Sequence, residues 1–275
     1  MTATATSPSG STPIFQQKRQ MPFPLNIYQS AIGRKWVMAL TGIGLLGFVL
    51  VHMIGNLHIY EGPARMHEYA ESLRTLGGGL VPKTFVLWLL RLGLIGMFVL
   101  HIHSAYTLKE RSRKASDKAD FIGGAKKYES KRDYVAANYA SRTMRWTGPI
   151  ILLYIIFHLA DLTWGLVSSE WAAGDPYHNV VNSLSNTFIA IIYVVANIAL
   201  VMHIFHGTWS LFQSLGINNP KYNKLRRNLA TALAGIVLVG NLTFPILTTI
   251  GFINEDNRVC PPGDLECLVT QAEAH

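Results

Sequence analysis

WVMALTGIGLLGFVLVHMIGNL, residues 36–57, contains no lysine, arginine, aspartate or glutamate. As a helix rising about 1.5 Å per residue it reaches across the roughly 30 Å of a bilayer's hydrocarbon. Four more stretches share its character: 85–108, 146–167, 188–211 and 229–253, which between them hold only Arg91 and Asp161 among those four residue types. Apolar residues gathered in long blocks, rather than spaced along one helix face, select the membrane class over a soluble domain. The reading is an all-α integral membrane protein with five transmembrane helices in one membrane domain, 30–253. A flexible segment, 1–29, precedes it and a tail, 254–275, follows. The opening MTATATSPSGSTPIFQQKRQ lacks a charged n-region leading into a short apolar core, so the first span itself is the insertion signal.

The formal net charge of +8 follows membrane topology, which removes nucleic acid as a partner. Lys18, Arg19, Arg34 and Lys35 precede the first span. Eleven Lys/Arg lie between Lys109 and Arg145, and Lys221, Lys224, Arg226 and Arg227 lie between spans four and five. The other side carries Arg65, Arg74, Lys83 and Arg258 beside Glu61, Glu68, Glu71, Glu170 and Asp175. The N-terminus is expected in the cytoplasm and the C-terminus outside, in a multi-pass protein of the plasma membrane. The segments 59–84 and 168–187 read as outer capping loops. The segment 109–145 reads either as an amphipathic surface helix with a loop that meets a soluble partner, or as a solvated connector.

Six of the ten histidines, at 52, 101, 103, 158, 203 and 206, fall inside spans, where ionisable groups are costly and mark function. One alone could serve as a helix-to-helix hydrogen bond. Their heights argue for more. Counted from the basic inner edge, His52 lies about 27 Å up and His158 about 20 Å, whereas His101 and His203 lie about 10 and 15 Å up. Four helices thus offer two histidine pairs at two levels, as two bis-histidine haems stacked across a bilayer require. Gly207 and Ala105 follow His203 and His101 by four residues on the same faces, and Gly42, Gly44, Gly47, Gly93 and Gly96 line the first two helices. These small residues leave room for a tetrapyrrole or allow close helix packing. No CxxCH occurs, so any haem is b-type. Cys260 and Cys267, in the tail, read as a disulfide or free thiols, with metal or cluster ligation as the alternative.

SAIGRKWVMALTG (30–42), LVHMIGNL (50–57), VLHIHSAY (99–106), SRTMRWTGPI (141–150) with IIFHLAD (155–161), and HIFHGTWSLFQSLG (203–216) together resemble the single-chain, five-helix, dihaem cytochrome b anchor of succinate dehydrogenases and fumarate reductases. The resemblance runs from about Ser30 to Gly216. It implies that His52 and His158 share an outer haem and His101 and His203 an inner one. It also implies a flavoprotein subunit that oxidises succinate and an iron–sulfur subunit docked on the cytoplasmic face. Electrons would pass through this chain to membrane quinone. A Ser…Arg pair near quinone in the wider superfamily points to Ser30 and Arg34, with Trp36, Tyr28, Trp209 and Ser210 completing the pocket. His103 and His206 could serve a haem propionate or a proton path. Arg91 and Asp161 are expected to pair with each other in the outer half; otherwise Arg91 meets a propionate while Asp161 and Glu61 relay protons. The alternatives are a Rieske-type Cys2His2 [2Fe-2S] cluster on Cys260, Cys267 and two outer histidines, the dihaem anchor of another dehydrogenase, and a haem-free structural anchor or transporter. A higher oligomer is compatible with all of them.

Overall fold

The computed structural model describes residues 21–23, 25–121, 135–217 and 219–255, with side chains placed outside 112–142. Cys260 and Cys267 lie outside the described residues. The described chain is all-helical, and five helices are long and apolar enough to cross a membrane. In chain order the helices are α1 (Leu25–Gln29), α2 (Ala31–Asn56), α3 (Pro63–Arg74), α4 (Phe85–Phe121), α5 (Val135–His158), α6 (Pro176–Ser185), α7 (Thr187–Ser214) and α8 (Asn223–Thr249). The spans are α2, α4, α5, α7 and α8.

Local chemistry sets the helix starts. Ser30 caps α2 by accepting from the Gly33 amide at 2.8 Å, Asn186 caps α7 through the Phe188 and Ile189 amides, and Asp175 caps α6 through the His178 amide at 3.0 Å. Pro63 and Pro176 open α3 and α6, where their missing N–H costs nothing. The third span ends sooner than its hydropathy suggests. After His158 the chain makes one π-helical turn, Leu159–Thr163, and Gly165 then turns it away with φ +62°.

The two segments read as outer loops contain helices instead. α3 and α6 lie over one end of the bundle and bury Met66, Tyr177, Val181 and Leu184 with Ile59, Tyr193, Phe244 and Ile253. Tyr177, Val181 and Leu184 recur at i, i+4 and i+7, so α6 presents one apolar stripe to the bundle. In the long insert, α4 continues unbroken to Phe121, and α5 begins at Val135. Within the segment read as a flexible tail, α1 packs on α2.

α7 is the central helix, packed against α2, α5, α6 and α8, while α4 lies at the edge against α2. Ser104 is the one fully buried side chain described on α4.

Two outcomes follow for the cap. A Cβ at Gly165 would stand 2.5 Å from the Trp171 ring on a backbone already at positive φ, while Gly174 (φ +88°) has open space around it. Gly165→Ala should therefore cost about 1–3 kcal/mol, more than Gly174→Ala, and thermal melts of the detergent-solubilised protein will rank the two. His178 bonds the Glu170 carbonyl through Nε2 and the Glu255 carboxylate through Nδ1, both at 2.9 Å. Accepted by the Glu170 carbonyl first and Glu255 second, its proton is held above the ordinary value of 6.5. This contact contributes fully below pH 6.5 and is lost as pH rises through the raised value. Protection of α6 amides, corrected for the intrinsic pH dependence of exchange, should fall over that rise in the native protein, with a smaller step in Glu255→Gln.

Candidate redox site in the membrane bundle

The four histidines of the two expected levels meet in those pairs. The rings of His52 on α2 and His158 at the end of α5 have centroids 6.0 Å apart with planes at 83°. The rings of His101 on α4 and His203 on α7 stand 6.3 Å apart with planes at 63°. Neither α2·α5 nor α4·α7 is a closely packed helix pair, so the side chains reach toward each other across wider spacings.

Three of the four rings are held through Nδ1 by a neighbouring helix. His101 Nδ1 is 3.1 Å from the Met38 carbonyl and 3.2 Å from Thr41 Oγ1, both on α2. His203 Nδ1 is 3.3 Å from Thr147 Oγ1 on α5, and His158 Nδ1 is 3.3 Å from the Tyr193 hydroxyl on α7. A carbonyl can only accept, so His101 carries its hydrogen on Nδ1. Tyr193 donates its own hydrogen to Asp161, so it too accepts from His158. Both rings are left with an unprotonated Nε2, the atom a metal takes. His52 stacks on Phe48 at 5.3 Å and 11°.

Two metal–imidazole bonds of about 2 Å in line, with half a ring at each end, put ring centres about 6 Å apart. Each pair therefore has the spacing to hold one metal between its rings. The small residues sort into two kinds. A Cβ on Gly42 would touch the His101 ring at 3.4 Å, and one on Gly44 would collide with the Met97 sulfur, so these two serve helix packing. At Gly47, Gly93, Gly96 and Gly207 an added Cβ would find nothing within 4 Å, which is not how close-packing glycines behave.

His203, not His206, faces His101; His206 lies against Phe205 at 5.2 Å, half-buried. His103 belongs to another cluster, at the α1 end. Its Nδ1 is 2.5 Å from the Tyr28 hydroxyl, which also lies 3.1 Å from Ser104 Oγ. Arg34 donates Nε–H to the Tyr28 carbonyl at 3.1 Å and lies 5.5 Å over the Tyr28 ring. Ser30 is committed to its cap and to the Ile27 carbonyl. Trp36 is half exposed on the outer surface of α2. Trp209 and Ser210 are not brought to this group by any hydrogen bond or ring contact. The Arg226 guanidinium covers the Trp209 ring at 5.6 Å, and the Ser210 hydroxyl bonds its own helix at the Gly207 carbonyl.

The expected pairing of Arg91 with Asp161 does not form. Arg91 is exposed and lies over Trp88 at 5.2 Å, whereas Asp161 is buried and accepts from Ser183 at 2.5 Å and Tyr193 at 2.8 Å. Height along a helix was legible in the sequence, but which way round the helix a residue faces was not. Glu61 sits on the surface with His58 at 3.0 Å and Arg65 at 3.2 Å, separate from the buried carboxylate. Ser183 and Tyr193 were missed altogether. The i, i+4, i+7 stripe of α6 gave no signal for Ser183, which lies about 100° round the helix from Leu184.

Residues 131–243 match the family model described as succinate dehydrogenase/fumarate reductase transmembrane subunit, a stretch that takes in α5, α6, α7 and most of α8. Comparison with curated proteins and with solved structures gave no match. With five apolar spans the chain is a multi-pass membrane protein, and the stretch that carries His158 and His203 is similar to the succinate dehydrogenase/fumarate reductase transmembrane subunit family.

Proposed function

We propose that this chain is the electron-carrying anchor of a succinate:quinone oxidoreductase, in which His52 with His158 and His101 with His203 each hold one b-type haem. The observation that carries this reading is the pair of ring spacings, 6.0 and 6.3 Å, between histidines on different helices. The Nδ1 bonds of His101 and His158 support it, because they leave Nε2 as the ligating atom. Open space at Gly47, Gly93, Gly96 and Gly207 supports it again, since a flat macrocycle needs clearance that a leucine would fill. When bound, haem supplies a one-electron centre at each level, and two levels shorten the electron's path through hydrocarbon.

Quinone would meet the chain at the α1 end. Arg34 spends only Nε on Tyr28, which leaves its terminal nitrogens to bond a quinone carbonyl and steady the charge gained on reduction. The Tyr28 hydroxyl, bridging His103 and Ser104, can pass a proton to the same place. Ser30 shapes the turn that presents both residues. Trp36 would border the pocket from α2, while Trp209 and Ser210 stay with α8 and α7. The basic side of the chain would face the cytoplasm and take an iron–sulfur subunit, itself served by a flavoprotein that oxidises succinate.

Haem per complex, measured by pyridine haemochrome, tests the reading. His203→Ala should lose one of two haems, while His206→Ala should keep both; loss in the second variant alone would reverse the assignment, and a native complex without haem would reject it. Arg34→Ala should cut quinone reduction at least tenfold and leave succinate oxidation by a soluble artificial acceptor unchanged. Equal loss of both activities would point to failed assembly rather than a quinone contact.

A further inference from the structure

Asp161 is 2% exposed, and its two oxygens are treated differently by the fold. Oδ2 accepts from the Ser183 and Tyr193 hydroxyls, and Oδ1 has no partner. Neither oxygen accepts from a backbone amide, so the carboxylate caps no helix. Both of its partners are side chains from other helices, α6 and α7. Such a carboxylate is costly to bury and is kept where it faces positive charge. One candidate is reached through one hydroxyl. Tyr193 gives its hydrogen to Asp161 at 2.8 Å and receives one from His158 Nδ1 at 3.3 Å. The phenol is held in place by Tyr154 and Phe157, whose rings stand 5.3 and 6.2 Å from its own. Asp161 sits in the π-helical turn directly after His158, a distortion frequent at functional sites.

We infer that Asp161, acting through the Tyr193 hydroxyl, is a positioning residue that fixes the His158 tautomer and lowers the reduction potential of the centre His158 ligates. This rests on the proposed histidine ligation. A carboxylate that draws the Nδ1 hydrogen outward makes Nε2 a stronger donor to the oxidised, more positive iron. The added negative charge favours the same oxidation state. Among the described residues nothing comparable serves the other pair, where His101 and His203 meet a carbonyl and threonine hydroxyls. The relay therefore acts on the centre at the α6 end alone and lowers its potential below what the same ligands would otherwise give.

Potentiometric titration of the purified native complex, followed by haem absorption, tests this. Asp161→Asn and Tyr193→Phe should each move one of the two midpoint potentials to a more positive value and leave the other in place, with two haems retained. The double variant should shift no further than the larger single one, because both substitutions break the same relay. His158→Ala should remove the centre that moves. Unshifted potentials in Tyr193→Phe would overturn the inference even if Asp161→Asn fails to assemble, and so would shifts that simply add. A His158→Ala complex that keeps both centres would overturn the inference and the ligation beneath it.

Discussion

An imidazole in hydrocarbon has two nitrogens and no water, so each must find a partner within the protein, and this requirement organises the bundle. A hydrogen bond contributes only about 1 kcal/mol net, but leaving a buried polar group unmet costs about 1–3 kcal/mol. For His101 the partner is on α2, for His158 on α7 and for His203 on α5. Each bond fixes how one helix is rotated against another, and together they leave the rings of each pair about 6 Å apart. Apolar contacts alone would hold the helices together with much less say over rotation, since most of their outer surface is uniformly greasy.

The spans were legible because charge is so expensive in the bilayer core that its absence over twenty residues has few other readings. The histidine pairs were legible because height is simple arithmetic along a helix. Azimuth was not, and the errors follow from that. Arg91 and Asp161 were both expected in the outer half but meet different partners, Trp88 for one and Tyr193 for the other, so a pairing that height allowed does not form. The cap helices were hidden for another reason. α3 and α6 are short and carry His67, Glu68, His178 and Asn179 among their apolar residues, so hydropathy averages to that of a loop. Their signal was periodic rather than compositional, in Tyr177, Val181 and Leu184.

The cap gives the two ends of the bundle different characters. At the α3 and α6 end, Ile59, Met66, Tyr177, Val181, Leu184 and Phe244 form a continuous packed layer beneath which Asp161 and Tyr193 stay dry. At the α1 end no comparable layer is seen among the described residues, and Tyr28, Arg34 and His103 are reached from the surface. A dry end suits the tuning of a redox centre, where low dielectric lengthens the reach of each charge. An accessible end suits exchange of a substrate with the lipid and of protons with water.

Two charges are fully buried among the described residues, and comparing them separates a structural charge from a working one. Arg226 points its terminal nitrogens at the Ile217 and Asn219 carbonyls and at Asn223, and lies against the Trp209 face, with only Nε unmet. Those carbonyls follow the end of α7, where backbone acceptors have no helical partner, so the guanidinium closes a loop that would otherwise bury unmet groups. Its neighbours account for its presence. Asp161 closes no loop. It receives two hydroxyls that water or each other could have satisfied, and it leaves an oxygen bare inside a packed layer. Local packing gives no return for that cost. A positive partner one hydroxyl away would, and His158, under the proposed ligation, is the group placed to be that partner.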